Sequence, residues 1–236
     1  MALLKIKNLC KSYVINGQEH QILRQLHLIA DCTKITVILG KSGCGKTTLL
    51  RLICGLEDYD DGSLELPPQL NIGMMFQEAR LMPWLTCQDN ITLGQRLDSA
   101  ELQQLLDTVG LTDFAQAYPK QLSGGMQQRT ALARTLAQKS QLILMDEPFA
   151  ALDYFTRIQL QQELLRIKRL TQTGMIFVTH NIDEALTIAD TILVMQGGRI
   201  EKKIDLPIAL ERDILSEPYL SYKKSILASL LNPENI

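Results

Sequence analysis

The sequence lacks the features of secreted, membrane-spanning and nucleic-acid-binding proteins. Its five cysteines are odd in number and form no CxxC pair, which disfavours a disulfide framework and a zinc site. No apolar run approaches the roughly 20 residues that span a bilayer, and Lys5 and Lys7 lie in an alternating start that is unlike a signal peptide. A net charge of −2 and a pI near 6.0 disfavour nucleic acid as a partner. We therefore expect a soluble intracellular protein.

Internal repeats, low-complexity tracts and long linkers are also missing, so the 236 residues favour a single domain with an inserted subdomain at most. What the chain does have is periodicity. Residues 1–30 alternate apolar and polar side chains, which predicts an antiparallel β layer. Residues 34–39, 142–145 and 175–179 are continuous apolar runs, which are typical of parallel strands buried on both faces. Helical patterns fall between these runs, so they predict an α/β core, with 175–179 as its last buried strand.

The stretch from about residue 78 to residue 139 differs from this core. Apolar side chains follow there the i, i+3, i+4, i+7 spacing of an amphipathic helix, at Leu102, Leu105, Leu106 and Val109. Gly110 can end that helix. The stretch has no strong strand pattern, so we expect a helical subdomain inserted between core segments of about 1–77 and 140–236.

The C-terminal part of the sequence predicts structure but no chemistry. Gly197 and Gly198 lie between residues 192–195 and residues 199–204, which indicates a β-hairpin turn. Residues 213–231 predict one or two terminal helices. The region after residue 206 is too short for a further β domain.

The segment GKSGCGKT, residues 40–47, matches the phosphate-loop pattern G-x-x-x-x-G-K-[ST] in full. Its glycines let backbone N–H groups point at phosphate oxygens, and the helix that follows directs its positive end to the same place. Lys46 is expected to contact the β- and γ-phosphates and the Thr47 hydroxyl to bind Mg²⁺. A chance glycine-rich turn would lack the apolar strand before it. The residues predicted to bind the nucleoside triphosphate are Gly40, Lys41, Ser42, Gly43, Cys44, Gly45, Lys46, Thr47 and Thr48.

Two further segments carry groups suited to phosphate chemistry. In LILMDEP, residues 142–148, Asp146 ends a buried strand and is expected to hold Mg²⁺, most simply through a water. Glu147 is the candidate base for the attacking water, although an acidic turn that caps a helix would look the same. His180 follows the run 175–179 and occupies a similar strand end.

The segment LSGGMQQR, residues 122–129, predicts a capped helix start. Ser123 can cap a helix that begins at Gly124 and Gly125, with Met126 already helical. Bare N–H groups and the helix dipole make such a start an anion site. Taken alone it is an ordinary helix start, but beside a phosphate loop it predicts a second phosphate clamp.

In this order the segments resemble the ATPase subunit of an ATP-binding cassette (ABC) transporter over nearly the whole chain. The resemblance implies a P-loop NTPase (RecA-like) α/β core with an N-terminal antiparallel β layer and an inserted helical subdomain. It implies ATP and Mg²⁺ as cofactors and a head-to-tail homodimer, in which Ser123, Gly124, Gly125 and Met126 act in trans on the partner's ATP. Met126 stands where the family usually has Gln.

The same resemblance implies roles for individual residues. His180 would contact the γ-phosphate and hold the water with Glu147, while Gln77 would reach Mg²⁺ and this water. Asp153, in the segment AALD, would lie in the loop that crosses to the opposite subunit. Tyr13 would stack on adenine, although a half-buried strand tyrosine is the alternative.

Other members of the family fit less well. Chromosome-maintenance ATPases separate the phosphate loop from the signature by a long coiled coil, and Lys46 and Ser123 are too close in sequence for that. Translation-associated members usually carry two cassettes, and a fused exporter would have membrane spans. A regulatory module would be expected to lack Glu147 or His180. We therefore expect an importer subunit that works with a separate membrane permease at the cytoplasmic face of the membrane.

Residues 77–86, QEARLMPWLT, resemble the corresponding segment of the subfamily that serves nitrate, sulfonate and taurine uptake. The stretch from Gln77 to Trp84 is a predicted permease-docking site, with Met82 and Trp84 as apolar contacts and Arg80 as a charge. Trp84 could equally belong to the core of the helical subdomain. The solute is bound by other subunits, including an extracytoplasmic solute-binding protein, and importers of thiamine precursors share much of the pattern. Phe155 departs from the subfamily, which more often has Gln there.

Overall fold

The computed structural model describes residues 2–150, 152–207 and 213–231. The chain divides into two compact units, Met1–Leu70 with Gly174–Ile236 and Asn71–Thr173. Both units mix helices with sheet, so the predicted α/β character is confirmed. The predicted limits of the helical insert, residues 78 and 139, stay a prediction.

The first unit contains the predicted antiparallel layer. Strand β1 (Leu3–Ile15) pairs on one side with β2 (Gln18–Asp31) and on the other with β4 (Asp61–Glu65), both antiparallel. Leu4 and Ile6 are buried, as the alternation requires. Strand β4 was not predicted, because its sequence DGSLE is short and mostly exposed.

The first unit also contains the phosphate-loop strand. Strand β3 (Ile35–Leu39) lies between β7 (Gly174–Thr179) and β8 (Thr191–Gln196) and is parallel to both, and all three are fully buried. Strand β9 (Arg199–Asp205) returns antiparallel to β8 through the predicted glycine turn. The expectation that residues 175–179 form the last buried strand is wrong. The buried strand β8 comes later in the chain and lies between β3 and β9 in the sheet.

Three helices complete the first unit: α1 (Lys46–Ile53), α6 (Ile182–Ile188) and α7 (Glu217–Leu231). Helix α7 is the predicted terminal helix, and an ion pair of 2.6 Å joins Lys223 Nζ to Asp183 Oδ1 of α6. The rest of the predicted C-terminal segment, residues 208–212 and 232–236, lies outside the described residues.

The second unit is mostly helical around a pair of strands. Strands β5 (Ile72–Met75) and β6 (Leu142–Asp146) are parallel, and α4 (Gly124–Ala137) packs on β5. The other α-helices in the described part of this unit are α2 (Cys87–Thr92), α3 (Ser99–Val109) and α5 (Tyr154–Thr171), and two short 3-10 helices span Thr112–Phe114 and Pro119–Gln121. Strand β5 was not predicted, since it is short and contains Gly73. A Cβ at this position would lie 2.3 Å from Thr135 Cγ2 of α4.

Helix α3 is the predicted amphipathic helix. It begins with a capping box between Asp98 and Glu101 and ends at Gly110, which adopts φ 64°. Within the ranges that the structure describes, no helix is both long and apolar enough to cross a membrane.

Candidate functional site

The phosphate loop joins β3 to α1 in the first unit. Gly43 and Gly45 adopt φ 81° and 102°, a backbone region that costs other residues energy. A Cβ on Gly40 would lie 2.4 Å from the carbonyl oxygen of Met195, so only glycine fits there. Helix α1 begins directly after the loop and has no side-chain cap. These features suit a loop that wraps phosphate groups with its backbone.

Lys46 lies across the loop. Its side chain is buried, and Nζ donates to the carbonyl oxygens of Gly40 at 2.9 Å and Lys41 at 3.0 Å. A buried ammonium group that the loop holds across its own backbone is well placed for a phosphate. The loop itself thus positions the positive charge that the predicted role of Lys46 requires.

The residues before His180 are linked to the phosphate loop. The backbone N–H of Gly40 donates to the carbonyl oxygen of Thr179 at 3.2 Å. Thr179 is buried and its hydroxyl donates to Glu184 Oε2 at 2.5 Å, while Asn181 caps α6. His180 itself is exposed. The exposed imidazole of His180 therefore follows Thr179, whose carbonyl oxygen is bonded to the phosphate loop and whose hydroxyl is bonded to α6.

Tyr13 of β1 contacts the segment that follows α1. Its phenol donates to the carboxylate of Glu57. Arg51 NH1 holds the same carboxylate at 3.1 Å, and Lys11 Nζ lies 5.3 Å from the ring centroid. The side chain is half-exposed, so part of it is open to a ligand.

Asp146 lies at the end of β6 in the second unit, and Glu147 follows it directly. Asp146 is the last residue of the strand and is buried, whereas Glu147 is half-buried with φ 43°. A non-glycine residue in this backbone region costs about 1–2 kcal/mol. Strain of this kind is held by the surrounding fold and is common at functional sites.

The signature segment forms the predicted capped helix start in the second unit. Ser123 Oγ accepts a hydrogen bond from the N–H of Met126 at 3.3 Å, and α4 begins at Gly124. Ser123 and Gly124 are exposed, so the first N–H groups of the helix can reach an anion. Asp153 caps α5 through Oδ1, which accepts from the N–H groups of Phe155 and Thr156.

Comparisons with known proteins identify the family. The family model for ABC transporter matches residues 23–150. The uncharacterized ABC transporter ATP-binding protein MJ0412 of Methanocaldococcus jannaschii is 41% identical, covering 95% of this chain and 90% of that protein. The chain belongs to the ABC transporter family.

Other relatives of this ABC protein agree. The aliphatic sulfonates import ATP-binding protein SsuB of Bacillus subtilis is 36% identical, covering 96% of this chain and 93% of that protein. A solved dimeric structure of the ATP-binding cassette MJ0796 in a post-hydrolysis state, bound to ADP and Pi, is similar with a TM-score of 0.75. That structure is 28% identical and covers 87% of this chain and 100% of that chain. The predicted P-loop NTPase fold is confirmed, and the chain is an ATP-binding protein and an ATPase of its family.

Hydrogen bonds from three side chains hold the backbone of residues 77–86 in this ABC protein. Asn90 is fully buried, and its Nδ2 donates to the carbonyl oxygens of Met82, Leu85 and Thr86 at 3.0–3.1 Å. Its Oδ1 accepts from the N–H of Met82 at 2.8 Å. Trp84 is 70% exposed, so it is a surface residue and not part of a core.

The same loop is also held at its start. Arg134 donates from NH2 to the carbonyl oxygen of Ala79 at 2.9 Å and from NH1 to that of Arg80 at 3.1 Å. Gln77 is exposed, and its carbonyl oxygen accepts from Gln128 Nε2 of α4 at 2.8 Å. The loop therefore presents Gln77 and Trp84 from a fixed backbone.

Sequence reasoning missed the residues that hold these sites in place. Glu57, Asn90 and Arg134 carry no motif, and their partners were unknown before the chain was folded. The acidic stretch that follows α1 was the only visible signal for Glu57.

Proposed function

We propose that this ABC protein is the ATP-hydrolysing subunit of an importer that energises uptake of a small solute of the nitrate, sulfonate or taurine type. The observation that carries this proposal is its likeness, over nearly the whole chain, to relatives named as aliphatic sulfonates import ATP-binding proteins. The intact phosphate loop and the capped signature helix support it, because an inactive module would not need both.

In this proposal the first unit binds ATP. Lys46 holds the β- and γ-phosphates, and backbone N–H groups of residues 40–48 surround them. Tyr13 stacks on adenine, where a base–aromatic contact is worth about 1–3 kcal/mol in comparable sites. The partial exposure of this side chain and its hydrogen bond to Glu57 support this assignment.

Magnesium is the second cofactor in the proposal. Thr47, Gln77 and Asp146 offer hydroxyl, amide and carboxylate oxygens, which are the ligands that Mg²⁺ prefers. Asp146 is a buried carboxylate at a strand end, which suits a cation. When bound, the ion neutralises charge on the phosphates.

Glu147 and His180 are assigned to the hydrolysis step. Glu147 accepts a proton from the attacking water or orients it, and His180 contacts the γ-phosphate and helps to hold that water. The unusual backbone conformation of Glu147 and the fixed segment before His180 support these roles.

The active form in this proposal is a head-to-tail homodimer with two ATP molecules. Ser123, Gly124, Gly125 and Met126 clamp the phosphate held by the partner, and Asp153 lies in the loop that faces it. Closure excludes water and hydrolysis reopens the dimer, so ATP and ADP favour different states. The dimeric cassette structures that resemble this chain support the arrangement.

The membrane partner is a separate permease. We place its docking site at the loop from Gln77 to Trp84, because a fixed backbone that exposes a tryptophan is a suitable anchor. The ABC subunit would then be peripheral at the cytoplasmic face of the membrane. A solute-binding protein would act through the permease, and nucleic acid has no part.

The first test compares ATP turnover and ATP-dependent dimerisation of the wild type and Glu147→Gln. We expect the variant to lose nearly all turnover while it binds ATP and runs as a dimer on size exclusion. Glu201→Gln, an exposed change on β9, is the matched control and should behave as wild type. Equal turnover of the wild type and Glu147→Gln would refute the assignment of the base.

The solute is tested in cells. A bacterium that lacks its own sulfonate-importer ATPase is supplied with this chain and its cognate permease and binding protein, and grown with an aliphatic sulfonate as the sulfur source. Growth with the wild-type chain, together with loss of growth for Lys46→Ala, supports the proposed solute class. Growth only on a thiamine precursor, or ATPase activity without any transport, would replace it.

A further inference from the structure

A cavity of about 590 Å³ lies within the first unit, between the antiparallel layer and the strands that follow α6. The residues that line it come from β1 and β2 on one side and from β8 and β9 on the other. We call it the sheet cavity. Its volume is within the range of about 300–1,000 Å³ that small-molecule sites occupy. None of the described residues that line it belongs to residues 40–48, so it is separate from the phosphate loop.

Much of the lining of the sheet cavity is apolar. Leu28 and Leu193 are buried, Ile200 is half-buried, and all three line the cavity. Ile29 also lines it and is 60% exposed. Apolar side chains in an open cavity stay in contact with water until a ligand displaces that water. The sheet cavity is therefore suited to an alkyl group.

The charged side chains that line the sheet cavity are positive. They belong to Lys5, Lys7 and Lys203, and none of the described lining residues is acidic. Lys5 is the cross-strand partner of Ile29 in the ladder between β1 and β2. Such partners lie on the same face of a sheet, so an ammonium group and an apolar side chain are neighbours there. The lining thus combines apolar surface with groups that attract an anion.

Two carboxylates outside the lining offset part of this charge. Asp205 Oδ2 lies 3.3 Å from Lys203 Nζ, and Glu65 of β4 is the ladder partner of Lys5. Lys7 is exposed and is paired in the ladder with a serine. Three ammonium groups against two carboxylates leave the surroundings of the cavity positive, and Lys7 is the least compensated of the three lysines.

A β-bulge lies at the sheet cavity. Two residues of β1, Lys7 and Asn8, stand opposite one residue of β2, His27, and all three line the cavity. Asn8 adopts φ 51°, which is uncommon for a residue other than glycine. A bulge bends its strand and redirects its side chains, and bulges are frequent beside functional sites. The bend is therefore part of the wall of the cavity.

The two sides of the sheet cavity are tied together by hydrogen bonds between β2 and the start of β9. The N–H of Arg24 donates to the carbonyl oxygen of Gly198 at 3.1 Å. Arg199 Nε donates to the carbonyl oxygen of Arg24 at 3.2 Å. A cavity whose walls are joined before binding loses little entropy when a ligand enters it.

We propose that the sheet cavity binds a small amphiphile with one alkyl chain and one anionic head group. The alkyl chain lies against Leu28, Leu193 and Ile200, and the head group lies at Lys5 and Lys7. An inorganic anion would leave the apolar lining in water, and an uncharged hydrocarbon would make no use of the lysines. An alkyl sulfonate and a fatty acid both have the required chemistry. The site is independent of the proposed importer function, since it involves neither the nucleotide nor the permease.

Isothermal titration calorimetry of the wild-type chain tests the two halves of the ligand. With alkanesulfonates below their micellar concentrations, affinity should rise about fourfold for each methylene group from pentanesulfonate to octanesulfonate. Octyltrimethylammonium has the same chain and the opposite charge, and should bind at least about 10-fold more weakly than octanesulfonate. Octanoate distinguishes the sources, because tighter binding of the carboxylate would assign the site to fatty acids. Affinity that does not depend on chain length, or that is equal for the cationic amphiphile, would overturn the proposal.

Matched variants test the position of the head group. Lys5→Gln combined with Lys7→Gln should weaken octanesulfonate binding about 3- to 10-fold. Lys34→Gln combined with Lys224→Gln removes the same charge from exposed positions of the same unit, and should leave the affinity unchanged. An equal loss in both double variants would show that only net charge matters and would refute the site.

NMR spectroscopy locates the ligand directly. On addition of octanesulfonate, the amide shifts should change most in residues 5–8, 27–29 and 193–203. Lys46→Ala should bind the probe as the wild type does, because the phosphate loop is not part of the cavity. Changes concentrated in residues 40–48, together with loss of binding in Lys46→Ala, would place the anion in the phosphate loop and overturn the proposal.

Discussion

Tyr13 illustrates how single residues prepare this site. Burial and the hydrogen bond to the Glu57 carboxylate raise the pKa of the phenol. The hydrogen bond from Tyr13, with Arg51 beside it, lowers the pKa of Glu57. The phenol and the carboxylate therefore stay in complementary protonation states across the neutral range. The segment after α1 thus determines where the proposed adenine-stacking ring lies.

The pKa shift of Glu57 predicts a pH-dependent change in stability. A carboxylate with a lowered pKa in the folded state stabilises the fold above its unfolded pKa, and this contribution is lost as pH falls through the folded pKa. We expect Glu57→Gln to lower the free energy of unfolding by about 0.5–1 kcal/mol near neutral pH. The difference from wild type should vanish well below pH 4.5, the ordinary value.

Urea unfolding of both proteins at several pH values measures this difference. Asp58→Asn, an exposed neighbour, is the control. A Glu57→Gln penalty that grows on acidification would contradict the assigned sign.

At the scale of elements, the side chain of Asn90 joins α2 to the loop that precedes it. All three carbonyl oxygens that Asn90 binds lie in residues 82–86. Asn90→Ala would remove the side-chain partner of the Leu85 carbonyl oxygen and of the Met82 N–H, at a cost of about 1–3 kcal/mol for a buried group of this kind. The carbonyl oxygens of Met82 and Thr86 would keep the bonds that they accept from backbone N–H groups. The loop should lose its fixed conformation, and Trp84, the single tryptophan, should report this change.

Fluorescence anisotropy of Trp84 and thermal unfolding check this prediction. We expect faster local motion of Trp84 and a lower Tm for Asn90→Ala. The control Gln95→Ala truncates an exposed amide side chain of the same unit. Unchanged anisotropy would show that other contacts hold the loop.

The contact between the starts of α4 and α5 predicts a rescue. Gly125→Ala places a methyl group 2.8 Å from Thr156 Cγ2, which forces the two helix starts apart at about 1–3 kcal/mol. Thr156→Ser removes that methyl group and keeps the hydroxyl that Asp153 binds. The double variant should therefore recover most of the lost stability in a urea titration. If Thr156→Ser adds to the loss, the two side chains do not meet as described.

At the scale of the whole molecule, nucleotide binding should be visible in thermal stability. ATP at 100 times its dissociation constant stabilises a protein by about 2.7 kcal/mol. For a chain of this length that is a rise in Tm of about 5–10 °C. Lys46→Ala should remove most of the rise, because the loop then lacks its buried charge.

Differential scanning fluorimetry with ATP and with ATP plus EDTA tests this expectation. Chelation of magnesium should abolish turnover in a parallel assay. An equal rise in Tm for wild type and Lys46→Ala would show that the nucleotide binds elsewhere.

The amino-acid sequence by itself determined the chemistry of this ABC protein and most of its regular elements. The phosphate loop, the capped signature helix and the buried strands β3, β6 and β7 depend on local spacing, and local spacing is visible in a sequence. The glycines that end α3 and turn β8 into β9 were visible for the same reason.

Only the tertiary structure decided which residues hold these motifs in place. Glu57 binds Tyr13, Asn90 binds the carbonyl groups of Met82 and Leu85, and Arg134 binds a carbonyl more than fifty residues away in the chain. The exposure of Trp84, Tyr154 and Phe155 was decided in the same way. Long-range hydrogen bonds and burial depend on which elements pack together, and side-chain periodicity carries no information about that choice.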